Sequence, residues 1–168
     1  MRIRPVTEAD LPALAELAKH TWLDAFGDSV SADAAAAEAE ETRSEEYFRT
    51  ALRTDTILVA EDGGQLVGYV KFGDVEIPEV DAEPGAGGLH RVYVETALHG
   101  RGIGRQLMQA ALSNPRLKAA HRVYLQVWEE NRAAVGLYES LGFRTVGTTR
   151  VTIGTDEVGE DLVMVLER

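Results

Sequence analysis

Three glycines alternate within a run of six, His99-Gly100-Arg101-Gly102-Ile103-Gly104, between a β-branched and aromatic stretch at 89–94 and a segment whose apolar residues, Ile103, Leu107, Ala110 and Ala111, fall at helical spacing. The order is strand, turn, helix, with the first helical turn nearly bare of side chains. A helix N-terminus offers about four unpaired N–H groups and a partial positive charge, so it attracts phosphate. Glycine at 100, 102 and 104 lets an oxygen-rich ligand approach the main chain, and Arg101 and Arg105 add positive charge at the same end. The run reads as a pyrophosphate cradle. It differs from two other phosphate loops: no Gly-Lys-Ser/Thr closes it, and Gln126 and Trp128 stand where a dinucleotide fold needs an acidic residue.

The other reactive side chains narrow the chemistry further. The chain has no cysteine, which excludes disulfides, thiolate metal sites and a cysteine acyl-enzyme. Its four histidines, at 20, 90, 99 and 121, have no spacing that suggests a metal site. A net charge of −11 repels nucleic acid and anionic membrane and favours cationic partners, although acidity also serves solubility alone. No apolar run approaches the roughly 20 residues needed to cross a bilayer, and Met1-Arg2-Ile3-Arg4 lacks the apolar core of a signal peptide. A cytoplasmic location is expected. At 168 residues, one domain over 1–168 is expected, with a single sizeable core.

The elements that must position the cradle follow from periodicity and turn chemistry. Residues 2–6 read as a strand, and Thr7-Glu8-Ala9-Asp10 as a capping-box start to a helix marked by Leu11, Leu14, Leu17, Ala18 and Leu23. That helix ends in Trp22 and Phe26, rings that either pack into the core or line a ligand pocket. Residues 31–52 are helical and rich in Ala and Glu, either a solvated face or an acidic rim. Strands at 56–61 and 65–72 flank Asp62-Gly63-Gly64, a hairpin turn, and Gly68 within the second suggests a bulge or a close approach of another backbone. Residues 73–88, with Gly, Pro and acids, form a mobile loop. After the cradle helix, Asn114-Pro115 ends the element, a strand covers 123–127, a helix starts at Asn131, and Gly142 suits a left-handed C-terminal cap. The last strands are expected at 143–151 and 161–166 with a Gly-rich acidic turn at 154–160. The fold class is mixed α/β of the α+β type, a mostly antiparallel sheet with helices on both faces.

The stretch 99–104 resembles the acetyl-CoA site of the GNAT superfamily of N-acetyltransferases, whose signature is Gln/Arg-x-x-Gly-x-Gly/Ala; His99 replaces the usual Gln or Arg. The likeness returns in Asn131-Arg132-Ala133-Ala134-Val135-Gly136-Leu137-Tyr138, followed by Gly142-Phe143, close to the family's Asn-x-x-Ala-x-x-Leu-Tyr-x-x-x-Gly-Phe block. The aromatic followed by Asp-Ala-Phe-Gly and an acidic helix also resembles the bacterial spermidine/spermine branch. The resemblance implies a GNAT fold with a central splayed parallel strand pair, acetyl-CoA as cosubstrate, no metal, and direct acetyl transfer to a primary amine, a polyamine or another small molecule. It implies coenzyme contacts from Val92, Tyr93, Val94, His99, Gly100, Arg101, Gly102, Ile103, Gly104, Arg105 and Asn131. Tyr138 matches the tyrosine that protonates the coenzyme thiolate. Many relatives carry a basic glutamate where this chain has Gly88, so the base is open among His90 on the same strand, Glu95 and a water chain. A sensor that binds acyl-CoA without transferase activity, an acetyltransferase of protein N-termini, and a homodimer through the last strands remain alternatives.

Overall fold

The computed structural model describes residues 1–168. The chain runs β1 (Arg2–Pro5), α1 (Leu11–Phe26), α2 (Ala32–Arg43), α3 (Glu45–Ala51), β2 (Thr56–Asp62), β3 (Gln65–Asp74), β4 (Gly87–Val94), α4 (Ile103–Ser113), α5 (Pro115–Lys118), β5 (Arg122–Trp128), α6 (Arg132–Ser140), β6 (Arg144–Ile153) and β7 (Asp156–Glu167). The seven strands form one sheet in the order β1-β2-β3-β4-β5-β7-β6, in which only β4 and β5 are parallel. The mixed, mostly antiparallel α/β class is therefore as expected.

Period-two alternation divides the sheet between two helical layers. From β2, Ile57 and Val59 face α1 and α3, packing with Leu11, Leu14, Leu17 and Phe48, while Leu58 and Ala60 face α4, packing with Leu107 and Met108. The middle of β2, Ile57 to Ala60, thus serves two cores, which is why it is a continuous buried apolar run. Gly63 and Gly64 turn the β2–β3 hairpin with φ of +57° and +81°, and Gly142 closes α6 at φ +100°. Gly68 meets both conditions expected of it: the β2–β3 register shifts there, and a Cβ would lie 2.9 Å from the Tyr93 carbonyl oxygen.

Three expectations change. The helical stretch at 31–52 is broken by Ser44, whose hydroxyl accepts from the Tyr47 N–H at 3.1 Å and starts a new helix. Residues between β3 and β4 have no regular structure but are anchored, because Ile77 and Ala86 are buried on Tyr124, Val163 and Val165. The β6–β7 hairpin is longer than the periodicity suggested, with its turn at Gly154 and the strands reaching Ile153 and Asp156. Glycine and acids at 154–160 read as a loop, yet antiparallel pairing carries through most of them.

Candidate active site

The site arises where β4 and β5 part. They pair only from Gly87–Leu89 against Val123–Leu125, and beyond Leu89 and Leu125 the two strands diverge. Antiparallel bonding alternates, and the Glu95 N–H reaches the Val67 carbonyl at 2.9 Å, so Glu95, Tyr93 and Arg91 are the residues whose main chain bonds β3. Val92 and Val94 therefore turn their N–H and C=O groups toward the gap left by β5. His99 takes one of these, its Nε2 standing 2.9 Å from the Val94 carbonyl oxygen. The replacement at 99 thus braces the strand end against the glycine loop.

The register of β3 on β4 shifts between Lys71 and Phe72, which pair with Arg91 and Leu89, leaving His90 as the extra residue of a bulge. The bulge reverses the alternation from there on. It sends Val92 and Val94 to the α4 side, and Arg91 and Tyr93 to the α1 side, where Tyr93 stacks on Tyr69 at 5.9 Å between centroids. His90 keeps the α1-side face that alternation from Leu89 gives it and borders the site cavity, but its ring is engaged at both nitrogens. Its Nδ1 lies 3.0 Å from the Lys71 ammonium and its Nε2 2.6 Å from the Asp74 carbonyl, so the neutral ring accepts from one and donates to the other. Burial, and next the Lys71 charge, hold its pKa below the ordinary histidine value. Asp55 pairs with the same Lys71 at 2.9 Å. Asp55, Glu76 and His90 are grouped closely enough for a cation, and the Lys71 ammonium already fills that role. Gly88 has a direct steric reason: a Cβ there would collide with the Asp74 carbonyl oxygen and stand 2.8 Å from its carbonyl carbon, so the strand exit displaces any glutamate.

Beyond the strand, Gly100 and Gly102 adopt φ of +82° and +79°, and a Cβ on either would meet nothing within 4 Å. Gly102 is the N-cap of α4 with no side-chain cap, and the first intrahelical bond runs from the Gln106 N–H to the Gly102 carbonyl. The N–H groups of Ile103, Gly104 and Arg105 are left pointing outward, bare of side chains, as a pyrophosphate requires. Arg105 borders the same cavity, its guanidinium bonded to Ser140 Oγ at 2.7 Å, whereas Arg101 is exposed outside it. Asn131 accepts from the Ala134 N–H at 3.2 Å and so caps α6.

One cavity of about 650 Å³ joins these parts through the splay. On the α4 and α6 side it is walled by Val94, Gly104, Leu137 and Tyr138, and on the α1 and α2 side by Phe26, Arg43, Tyr93, Trp128 and Asp161. Tyr138 is 7% exposed, its ring 6.1 Å from Phe143, and burial raises its phenol above the ordinary value near 10. Asp161 is the cross-strand partner of Trp128, and burial pushes its carboxyl up to about 6. Of the two aromatics at the end of α1, Trp22 packs on Ala35, Ala39 and Ile153, while Phe26 lies 5.0 Å from Trp128 at the cavity wall. Glu95 pairs with His20 at 2.7 Å, and Thr96 with Asp24 at 2.8 Å, tying α1 to the segment before the cradle. Arg43, Trp128 and Asp161 went unmarked in the sequence. Asp161 had a signal, since it alternates with Leu162 and so belongs to the face opposite the α4 core.

Residues 13–143 match the model of the acetyltransferase (GNAT) family. The chain is 26% identical over 158 residues to an N-acetyltransferase of Lactobacillus delbrueckii subsp. lactis, covering 93% of this chain and 91% of that one. It is 29% identical over 145 residues to the L-amino acid N-acyltransferase of Escherichia coli (strain K12), covering 85% and 79%. The PaiA N-acetyltransferase of Thermoplasma acidophilum, solved with coenzyme A, superposes with a TM-score of 0.79 at 20% identity over 99% and 98% of the two chains. The splayed strand pair, the bare helix terminus and these likenesses agree: the chain belongs to the GNAT family and is an acetyl-CoA-dependent N-acetyltransferase.

Proposed function

We propose that the chain acetylates a small primary amine that enters from the α1 and α2 side and attacks the thioester directly within the splay. The observation that carries this is the single cavity running from the bare α4 terminus, past Tyr138, to Trp128 and Asp161 on the opposite sheet face. The N–H groups of Ile103, Gly104 and Arg105 hold the pyrophosphate, and the open edge of Val92 and Val94 takes the pantetheine arm as an added strand. The Val92 N–H donates to the thioester oxygen as charge develops there. Asp161 takes the proton from the incoming ammonium, being more basic than an ordinary aspartate because it is desolvated. The nitrogen–carbon bond forms, the carbon–sulfur bond breaks, and the Tyr138 hydroxyl gives its proton to the departing sulfur. The second amine proton then restores the phenol through water, and Asp161 releases its proton to solvent, so one proton leaves per acetyl group transferred. Holding both reactants in one geometry contributes up to about 7–11 kcal/mol.

The acidic residues of α2 take no part in acceptor capture in this reading. Glu40 pairs with Lys19 at 2.8 Å, and Glu40 and Glu41 border a separate depression beside Asp55 and Lys71. A polyamine would find Asp24 and Asp161 in the cavity but also Arg43. The test is release of coenzyme A from acetyl-CoA with panels of alkyl amines, amino acids, polyamines and peptides. Saturable turnover with a small amine is expected. Turnover confined to peptide N-termini would replace the small-molecule reading, and acetyl-CoA binding without any acetylated product would replace the transferase by a sensor.

A further inference from the structure

Resting on this transferase reading, we infer that the acceptor carries a carboxylate, bound by the guanidinium of Arg43. Arg43 is the last residue of α2, 5% exposed, and borders the cavity on the acceptor side of the sheet. Its Nη1 donates to its neighbour Thr42 Oγ1 at 2.6 Å, and its Nε is buried with no partner. The cation lies over the Trp22 ring, 4.8 Å from the centroid, and 5.9 Å from that of Tyr93. No carboxylate of the chain comes within ion-pair distance of it, although the chain holds 28 acids against 17 lysines and arginines. More exposed arginines are paired: Arg4 with Asp10 and Glu61, Arg49 with Glu8, Arg116 with Asp74.

A buried guanidinium without an anion carries an uncompensated desolvation cost. Burial, and next the neighbouring Arg91, lower the Arg43 pKa below the usual arginine value. Arg91 lines the same cavity and is likewise without a carboxylate, donating to the Thr42 carbonyl at 2.8 Å over the Tyr47 ring. Two guanidinium groups facing one cavity in an acid-rich chain mark a place for an external anion. Planar donors on aromatic faces suit a carboxylate, which they hold in a fixed orientation. The coenzyme's pyrophosphate has its own place at the bare α4 terminus, so these guanidinium groups are left for the acceptor. With Asp161 and Asp24 in the same cavity for the ammonium, the complementary acceptor is zwitterionic, an amino-acid-like molecule, and a polycation is repelled.

The experiment compares acceptors that differ only at the carboxylate, L-methionine, L-methioninamide and 3-(methylthio)propylamine, alongside spermidine, with the intact protein and acetyl-CoA. The carboxylate is expected to raise kcat/KM by about 10- to 100-fold over the amide. Arg43→Gln is expected to abolish that preference through KM, Arg43→Lys to restore part of it, and both to leave the KM for acetyl-CoA within twofold. Because it removes an unpaired buried charge, Arg43→Gln is also expected to melt no lower than the parent protein. Equal use of the acid and the amide, a preference for spermidine, or an Arg43→Gln that keeps full discrimination overturns the inference. If no amine is acetylated, the transferase reading falls while this one is still decided: calorimetry with coenzyme A present reads whether N-acetyl-L-methionine binds more tightly than its amide, and whether Arg43→Gln erases the difference. A melting temperature that collapses in both Arg43 variants would show a structural role and count against it.

Discussion

Replacing Tyr138 with phenylalanine removes one hydroxyl from a site where nothing else in the chain depends on it. The ring packs beside Phe143 at 6.1 Å, and the phenol's raised pKa arises from burial and next from the nearby Tyr93, with no hydrogen bond contributing. The variant should therefore fold with stability changed by less than about 0.5 kcal/mol, and acetyl-CoA should bind as before. Burial keeps the phenol protonated throughout the neutral range, and the same burial raises the basicity of a thiolate formed beside it, so the proton passes to the sulfur. General acid catalysis of this kind contributes roughly 10²- to 10⁴-fold, or about 3–5.5 kcal/mol of barrier. The assay is release of free thiol under saturating acetyl-CoA, which carries no protein background because the chain has no cysteine. A fall in kcat of at least 100-fold with an unchanged acetyl-CoA dissociation constant is the expected result. A kcat within threefold of the parent would mean that water protonates the leaving thiolate, and Tyr138 would lose its role as the acid.

The cradle, the Asn131 cap and the Leu137-Tyr138 pair could be read from the sequence because they are local: each depends on residues within one turn of helix or loop. The strand pair could also be placed, since Leu89, Val123 and Leu125 are buried whichever partner they take. What could not be read is how one inserted residue re-aims a strand. Period two places His90 on the α1 side, but it fails for residues 91–94, whose faces are reversed by a bulge from a register shift against Lys71 and Phe72, almost 20 positions earlier in the chain. The acceptor wall was hidden for a related reason. Arg43, Trp128 and Asp161 come from α2, β5 and β7, and no short pattern relates them, so only the fold shows that a helical arginine among acids is itself without an acid. The acidic composition drew attention to charge in bulk, whereas the informative feature is the few buried charges at the cavity, Arg43, Arg91 and Asp161, that no side chain balances.

Gly102→Ala should fold at a cost of about 1–2 kcal/mol for a side chain at φ +79°, and weaken acetyl-CoA binding at least tenfold by placing a methyl where the pyrophosphate meets the main chain; an affinity within twofold would refute the cradle. His90→Gln should lower stability in urea by about 1–3 kcal/mol, because it disturbs the buried bonds to Lys71 and Asp74, and should change kcat by no more than a few-fold; unchanged stability with a hundredfold loss of kcat would restore His90 as the base. Asp161→Asn separates the base from its surroundings through pH. The folded chain holds the Asp161 proton up to about pH 6, above the ordinary carboxyl value, so the ionised form is the one that burial penalises. The penalty is absent below about pH 4 and complete above about pH 6, so the asparagine variant should match the parent's stability at pH 4 and exceed it at pH 8. Activity should run the opposite way: kcat/KM of the parent rises through a limb near pH 6 as the carboxylate forms, and the variant loses both that limb and most of its rate. Opposed effects on stability and turnover are the signature of a charge kept buried for chemistry. A variant that retains the limb near pH 6 would assign the proton to another group, and one that loses stability at pH 8 would show that Asp161 is paired rather than waiting for an ammonium.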